Sequence, residues 1–307
     1  MGKTVEEYID MKLLIVTQAV DTDDSDLGFF VRWIEEFARH CEKVTVICLR
    51  EGKHKLPTNV HVFALKSDSK FMRAFEFIKY AIMLRKEYAA VFVHMNPEYI
   101  VASGFLWRLM NKRIALWYTH KSVNLKLRIA VLFSHIIFTA SRESFRIKNA
   151  KVHVVGHGID TNFFFPDAGT VRGDWMLSVG RLMSSKRHDL AIRMAVQEGK
   201  DLHIAGEGPE REHLEKLARE LGARVHFLGP LTKEKLRDEY RRAAYLIHTS
   251  ETGSLDKVVL EALACGLLVR TNDSALKVLE SASSAYVREH HSLARLIPVI
   301  LNSMQMI

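Results

Sequence analysis

The stretch Asp201–Gly229, DLHIAGEGPEREHLEKLARELGARVHFLG, predicts a strand, a helix and a second strand in direct succession. The runs DLHIAG and RVHFLG are short and apolar and end in glycine, a pattern typical of buried strands followed by turns. Between them, EREHLEKLARELG is long enough for a helix and carries its leucines at helical spacing. A strand, a helix and a strand in this order form the unit from which parallel sheets are built.

The same alternation continues along the whole chain. Further strand-like runs are KLLIV (12–16), VTVIC (44–48), VFVH (91–94), RIALWY (113–118), HIIFT (135–139), WMLSVG (175–180), YLIHT (245–249) and LLVR (267–270). Amphipathic stretches separate many of these runs. The sequence therefore predicts an α/β protein with two doubly wound Rossmann-like sheets that face each other across a ligand cleft.

The boundary between the two halves is expected in residues 158–174, GIDTNFFFPDAGTVRGD, which are rich in Gly, Pro and Asp. We divide the chain into an acceptor-side domain, 1–160, and a donor-binding domain, 161–307. A chain of 307 residues is long enough for two such cores. The final stretch, LARLIPVILNSMQMI, leaves little room for helices that return to the first domain.

Composition indicates a soluble globular protein, with 48% hydrophobic and 26% charged residues. Cys41, Cys48 and Cys265 show neither metal-ligand spacing nor an even disulfide framework, so we expect a reducing, cytoplasmic location. The polar start MGKTVEEYID is unlike a secretory signal. The apolar run 129–140 is too short to span a bilayer, which takes about 20 residues.

Positive charge is concentrated in the first half. Residues 101–151 contain ten basic residues and one acidic residue, Glu143, within a net charge of +8. Such a block is either a solvated face or a surface for anionic lipid, a phosphate-bearing acceptor or nucleic acid. Regularly interleaved aromatic residues are missing from the block, which disfavours nucleic acid.

The stretch KFMRAFEFIKYAIMLRKEY, 70–88, allows two interpretations of the same helix. Phe71, Phe75, Ile78 and Ile82 form an apolar stripe that could pack on the first sheet. Alternatively, the helix forms a cationic rim on an anionic membrane. The cations of that rim would be Lys70, Arg73, Lys79, Arg85, Lys86, Arg108, Lys112, Arg113, Lys121, Lys126 and Arg128.

The loop SVGRLMSSKRHD places Arg181 and Lys186 directly after a predicted strand. Two cations on one short loop repel each other unless an anion lies between them, and a diphosphate would supply that anion. An exposed polar turn is the alternative. The next such loop, IAGEGPERE, has Arg211 where a dinucleotide fingerprint would need glycine, so it does not predict a nicotinamide site.

Glu261 interrupts the apolar run of GSLDKVVLEALACG, 253–266, which otherwise reads as a buried helix ending at Gly266. A buried carboxylate needs a partner. Glu261 therefore either points to solvent or waits for a partner outside the chain, such as a ribose diol. We expect the helix to begin near Ser254 and to direct its first N–H groups at an anion.

With Arg181, Lys186 and Glu261 together, the second half resembles the donor domain of glycosyltransferase family 4 enzymes of GT-B architecture. GHGIDTNFF, GRLMSSK, AGEGP, VHFLGPL and VVLEALACG occur in the order typical of that family. The resemblance implies a retaining, hexosyltransferase-type, metal-independent reaction, in which a nucleotide diphosphate sugar, expected to be a UDP-sugar, is a co-substrate. The implied acceptor is a hydroxyl of a glycan or of a lipid-linked molecule.

The resemblance also implies roles for individual residues. Catalysis is assigned to His120, Arg181 and Lys186, with Glu261 on the ribose. The implied donor-binding set also includes Gly28, Gly206, Glu207, Gly208, Pro209, Leu228, Gly253, Ser254, Leu255 and Val258. We expect nucleotide sugar and acceptor as partners, no nucleic acid, and a cytoplasmic location that includes the inner membrane face.

Gly253 departs from the family, which usually has a glutamate eight residues before the second one. That departure keeps open a nucleotide-sugar-binding scaffold without catalysis, and a GT-B nucleotide-sugar epimerase is a further alternative. The DTDDSD stretch, 21–26, has the spacing of a cation site or of helix caps. The resemblance favours caps or acceptor contacts because the family works without a bound metal.

Overall fold

The computed structural model describes residues 9–24, 26–250 and 255–306. These residues form two compact units. The first contains the chain up to Gly158 together with the segment from Leu293 onward, and the second is Ile159–Ser292.

All strands pair in parallel, as the sequence predicts. The first unit contains β1 (Ile9–Val20), β2 (Cys41–Glu51), β3 (Val60–Ala64), β4 (Ala90–His94), β5 (Arg113–Trp117), β6 (Ile136–Thr139) and β7 (Val152–Val154). The second contains β8 (Met176–Val179), β9 (Leu202–Ala205), β10 (Val225–Gly229), β11 (Tyr245–His248) and β12 (Leu268–Thr271). Their orders are β3-β2-β1-β4-β5-β6-β7 and β10-β9-β8-β11-β12.

Helices connect the strands and cover both faces of each sheet. They are α1 (Phe30–His40), α2 (Lys70–Met83), α3 (Pro97–Leu109), α4 (Leu125–Phe133), α5 (His188–Glu198), α6 (Arg211–Glu220), α7 (Lys233–Arg242), α8 (Lys257–Ala264), α9 (Ser284–His291) and α10 (Leu293–Gln305). Their crossovers allow the parallel pairing. The two doubly wound Rossmann-like sheets that the sequence predicts are therefore present.

The first sheet separates two apolar cores. On one face, Leu13 and Ile15 pack with α1 and α10. On the other, Leu14 and Val16 pack with α2, α3 and α4. Alternate residues of one strand point to opposite faces, so a strand buried on both sides is apolar at every position.

The last helix differs from the sequence-based division, which assigned 161–307 to the second domain. Leu296, Ile297 and Ile300 of α10 lie in the same core as Trp33 of α1. The helix therefore packs in the first unit, and the short final stretch does supply a helix that returns there. The apolar residues of α10 determine which core the helix covers, whereas its position at the end of the sequence does not.

The apolar stripe of α2 was expected to pack on the first sheet, and most of it does not. Phe77 and Ala81 are the buried residues of this helix, whereas Phe71, Phe75 and Ile82 are exposed. Of the predicted stripe, Ile78 packs partly against the core beside the sheet, whereas Phe71, Phe75 and Ile82 face away from it.

Candidate functional site

The loop after β8 brings Lys186 to the carboxyl end of the second sheet. Ser184–Lys186 form a short 3-10 turn, and the Lys186 amide donates to the Met183 carbonyl at 2.9 Å. Thr249, which follows β11, donates its hydroxyl to the Lys186 carbonyl at 3.0 Å. Arg181 of the same loop is exposed. The loop therefore holds one cation close to β11 and leaves the other in solvent.

Lys186 already has an anionic partner in the chain. Its Nζ lies 2.6 Å from Asp256 Oδ2, and His248 Nε2 lies 3.3 Å from the same oxygen. Burial alone would raise the pKa of Asp256, but the hydrogen bond from His248 and the charge of Lys186 outweigh it and hold the pKa far below its usual range. Asp256 is thus an ionised carboxylate between two basic side chains.

Glu261 points inward from α8 and is 7% exposed. Its Oε1 lies 3.4 Å from Lys257 Nζ, and Tyr240 donates its hydroxyl to Oε2 at 3.3 Å. Burial raises the pKa of Glu261, although Lys257 acts in the opposite direction. The same burial lowers the pKa of Lys257. Burial therefore disfavours the charged form of both groups, and each group offsets part of that effect on the other.

The two outcomes considered for Glu261, solvent or an external partner, both miss these internal contacts. Lys257 lies four residues before Glu261, a spacing that puts both on one side of a helix, so this pair is visible in the sequence. Tyr240 comes from α7, and only the packing of α7 on α8 brings it near. Glu261 as a ribose ligand stays a prediction.

The helix that carries Glu261 begins at Lys257, three residues after the predicted start at Ser254. Asp256 is its N-cap residue, but no cap hydrogen bond comes from the Asp256 side chain, whose Oδ2 lies near Lys186 and His248. Gly266 ends the helix as predicted, because its φ of 73° suits glycine. The first amides of α8 therefore follow Asp256, and that of Val259 donates to the Asp256 carbonyl at 3.2 Å.

The AGEGP loop after β9 packs against the loop after β8. A Cβ at Gly206 would lie 2.0 Å from the Gly180 carbonyl oxygen, and one at Gly208 would lie 2.4 Å from the Leu182 carbonyl oxygen. Close backbone approach thus requires both glycines. Glu207 is exposed and pairs with Arg211 at 3.0 Å. Pro209 completes this loop, which lies at the same sheet edge as Lys186.

The other predicted donor-binding residues of the second unit have less distinctive surroundings. Leu228 is half-buried in β10, and Leu255 and Val258 pack partly against the core below α8. Gly253 and Ser254 lie outside the described residues. Arg181, Lys186, the AGEGP loop and Glu261 all belong to the second unit.

Gly28 and His120 belong to the first unit. A Cβ at Gly28 would lie 2.6 Å from the Asp24 carbonyl oxygen, so the turn after β1 requires glycine there. His120 follows β5 and is exposed. Its Nδ1 lies 2.8 Å from Ser122 Oγ and accepts from the Ser122 amide at 3.1 Å. Both contacts involve Nδ1, so they orient the ring through that nitrogen and not through Nε2.

The aspartates of residues 21–26 cap the turn before α1. Asp24 Oδ1 accepts from the amides of Asp26 and Leu27, and Asp24 Oδ2 pairs with Arg50 at 2.7 Å. Within the described part of the chain, no group of three or more His, Cys, Asp or Glu side chains could hold a metal ion. The observed contacts stabilise a turn, whereas the N-cap residue of α1 is Phe29 and no side-chain hydrogen bond caps that helix.

The cysteines were expected to be reduced, and the structure shows their surroundings. Cys41, Cys48 and Cys265 are buried free thiols, and burial raises the pKa of Cys41 to about 12. Among residues 9–24, 26–250 and 255–306, every helix is too short or too polar to cross a membrane.

Comparison with known proteins supports a glycosyltransferase domain in the second half. Residues 166–293 match the family model for Glycosyl transferases group 1. A D-inositol 3-phosphate glycosyltransferase of Mycobacteroides abscessus is 35% identical over 135 residues, which are 38% of this chain and 30% of that protein. The gpi3 subunit of phosphatidylinositol N-acetylglucosaminyltransferase of Schizosaccharomyces pombe is 31% identical over 39% of this chain and 28% of its own length.

A solved structure extends the likeness in fold to nearly the whole chain. The Anabaena protein HepE, crystallised in complex with UDP, superposes with a TM-score of 0.75 and 14% identity, covering 97% of this chain and 100% of HepE. HepE has also been crystallised with UDP-glucose. The chain spans less than a third of the length of the two sequence relatives above. The family match thus concerns residues 166–293, and the likeness to HepE is a likeness of fold.

Proposed function

We propose that the protein is a retaining, family 4 glycosyltransferase that moves a sugar from a nucleotide diphosphate to a hydroxyl acceptor. The match of residues 166–293 to Glycosyl transferases group 1 carries this proposal, because Arg181, Lys186 and Glu261 all lie within it. The UDP and UDP-glucose complexes of HepE favour a uridine donor.

In the proposed site, the second unit binds the donor. Arg181 offers a fork and Lys186 a point charge to the diphosphate. Glu261 accepts from the ribose hydroxyls, while the AGEGP loop and Leu228 line the base. Gly253, Ser254, Leu255 and Val258 complete the proposed set near the start of α8. Negative charge develops on the leaving diphosphate, so the cations and the first amides of α8 stabilise the transition state.

The proposed reaction needs no metal and no covalent nucleophile. A diphosphate oxygen assists deprotonation of the acceptor on the face that the leaving group departs from. From the first unit, His120 donates to the sugar or to developing charge, and Gly28 keeps its loop close to the diphosphate.

We propose an acceptor that is a glycan or a lipid-linked molecule. Two relatives are named for inositol 3-phosphate and phosphatidylinositol, which favours an acceptor with a phosphate or a lipid. A cytoplasmic protein peripheral to the inner membrane face could reach such a molecule.

Titration calorimetry with UDP, GDP and ADP tests the donor assignment. We expect UDP to bind and Arg181→Ala to weaken it at least tenfold, because a charge-assisted contact is lost. Arg219→Ala, at an exposed site on α6, is the matched control and should bind as the wild type does. If no nucleotide binds the wild-type protein, the donor site is wrong.

Incubation with UDP-sugars in EDTA tests the chemistry. A transferase should release UDP slowly without an acceptor and faster with one, and EDTA should leave both rates unchanged. Activity that disappears in EDTA and returns with manganese would contradict metal independence. Isomerised donor would instead identify an epimerase.

A binding scaffold without catalysis is the second candidate, and the ion pairs of the second unit favour it. Asp256 neutralises Lys186 at 2.6 Å, and Lys257 pairs with Glu261 at 3.4 Å. A diphosphate at Lys186 would meet a carboxylate there unless Asp256 moves. Tight UDP-sugar binding without any UDP release would support the scaffold.

A further inference from the structure

The helix layer on one face of the first sheet has an apolar outer surface. Inward, Phe77, Trp107 and Leu127 of α2, α3 and α4 pack on the sheet. Outward, the same helices expose six large apolar side chains by 63–82%: Phe71, Phe75, Phe105, Leu109, Leu125 and Leu132. We call these six residues the α2–α4 face. Single exposed apolar residues are ordinary, but six on neighbouring helices are typical of an interaction surface.

Side-chain contacts join the three helices into one layer. The rings of Phe77 and Trp107 meet edge to face at 5.9 Å, connecting α2 with α3. Arg108 Nε donates to the Phe133 carbonyl at 2.9 Å, and Lys126 Nζ lies 3.2 Å from Glu98, connecting α3 with α4. The α2–α4 face is therefore built on a continuous support.

Exposed cations are interspersed with this apolar surface. Arg108 lies between Phe105 and Leu109 in sequence, and Arg128 lies between Leu125 and Leu132. Lys79 is exposed on α2. Residues 101–151 carry ten basic residues against Glu143 alone. The occupant of this surface must therefore present negative charge as well as an apolar interior.

Charge separates the candidate occupants. A second copy of the chain, joined through the same face, would bring the cationic surface with Lys79, Arg108 and Arg128 against another copy of that surface, and such like-charge proximity opposes association. An anionic bilayer offers acyl chains to the apolar residues and headgroup charge to the cations. We propose that the α2–α4 face docks this protein on the surface of an anionic phospholipid bilayer.

The proposed docking involves residues of the first unit alone. It is independent of the transferase assignment, because vesicle binding needs neither donor nor acceptor. It does identify which part of a peripheral transferase would meet the membrane. The apolar side chains would enter the headgroup boundary, and the flanking cations would contact lipid phosphates.

Co-sedimentation with vesicles tests the proposal. The probes are vesicles of phosphatidylcholine alone and vesicles with about one third phosphatidylglycerol, at about 50 mM and 500 mM salt. We expect binding to anionic vesicles at low salt, at least tenfold weaker binding to neutral vesicles, and weaker binding to anionic vesicles at high salt. A protein that stays in the supernatant with anionic vesicles at low salt overturns the proposal.

Matched variants locate the contact. Phe71→Ser with Phe105→Ser should weaken binding at least tenfold, and Lys79→Gln with Arg128→Gln should reduce the salt dependence. The control, Leu268→Ser with Val278→Ser, changes two exposed apolar residues of the second unit and should leave binding unchanged. Equal losses in the control would contradict the assignment to this face. So would a vesicle-free dimer that Phe71→Ser with Phe105→Ser dissociates, because a second copy would then be the occupant.

Discussion

The two units share one architecture but differ in their helix layers: the first exposes large apolar side chains, and the second carries charged pairs. In the first unit, α2, α3 and α4 expose large apolar side chains to solvent. In the second unit, the helices carry charged pairs such as Arg211–Glu215 at 2.7 Å. Among the described residues of α5, α6 and α7, only Val196 is a large exposed apolar side chain. The second unit holds two carboxylates in ion pairs, the partly buried Asp256 and the buried Glu261.

This difference separates two kinds of requirement. A buried charge must find its partner inside the fold, because an unpaired charge away from water is costly. An exposed apolar surface is tolerated in solution. Covering it with a partner is favourable, because apolar area is then removed from water. Under the proposed function, a polar ligand of the second unit would compete with internal ion pairs, whereas the proposed partner of the first unit would cover its exposed apolar surface.

The largest expected effect comes from removing the cation beside Asp256. Lys186→Met should lower the free energy of unfolding by about 3 kcal/mol, because the Asp256 carboxylate loses its ion-pair partner in a mostly buried place. The matched control is Lys200→Met, which breaks the surface pair with Asp174 and should lower it by less than about 1 kcal/mol. Urea unfolding of both variants measures the difference. Equal losses would mean that the burial of the Lys186 pair has no energetic consequence.

The first unit should contribute to catalysis through one exposed histidine. His120→Ala should lower kcat about 100-fold, because a positioned hydrogen-bond donor is lost from the transition state. Ser122→Ala, which removes the hydroxyl 2.8 Å from His120 Nδ1, should lower kcat by a smaller factor. Steady-state kinetics with a UDP-sugar measures both variants. Full activity in His120→Ala would remove this residue from the mechanism.

A smaller effect is expected at the second buried carboxylate. Glu261→Gln should weaken UDP binding about tenfold, because hydrogen bonds from the ribose to a charged acceptor become neutral ones. Its free energy of unfolding should also fall, by about 1–2 kcal/mol, because Lys257 loses the charge of its partner, while the neutral amide can still accept a hydrogen bond from Tyr240. Calorimetry and urea unfolding report the two quantities. Glu220→Gln, on the exposed side of α6, should alter neither of them.

Acid should reveal the smallest effect. The folded protein holds the pKa of Asp256 far below the value of about 3.9 expected for an unfolded chain, so this stabilisation is complete above that value and is lost as the pH falls below it. Between about pH 4 and pH 2, Asp256→Asn should therefore lose about 1 kcal/mol less stability than the wild type. Urea midpoints across this range measure the slope. Parallel curves for the two proteins would show that Asp256 does not contribute.

Sequence reasoning located the central strands because burial on both faces makes them apolar throughout. It missed β3 (Val60–Ala64) and β7 (Val152–Val154), which are the two edges of the first sheet. Their residues are mostly half-buried or exposed, with no fully buried position in either strand. An edge strand pairs on one side only, so its hydrophobic pattern is weak.

The same limit applies to α2 and α10. Helical spacing showed that Phe71 and Phe75 share a side of α2, but Phe77 and Ala81 define the side that meets the sheet. For α10, the structure places Leu296 and Ile300 in the core with α1, although the position of this stretch in the sequence had assigned it to the second domain. Periodicity gives the direction of residues relative to one another, whereas packing decides what each direction meets.

The sequence by itself determined the alternation of strands and helices, the end of α8 at Gly266, and the choice of Arg181, Lys186 and Glu261 as candidate ligands. Those features depend on near neighbours along the chain. Only the tertiary structure decided that Asp256 lies 2.6 Å from Lys186 and that Tyr240 lies 3.3 Å from Glu261. These partners come from different elements. Lys186 and Asp256 meet because the loops after β8 and β11 lie at the same edge of one parallel sheet, and Tyr240 meets Glu261 because α7 packs on α8.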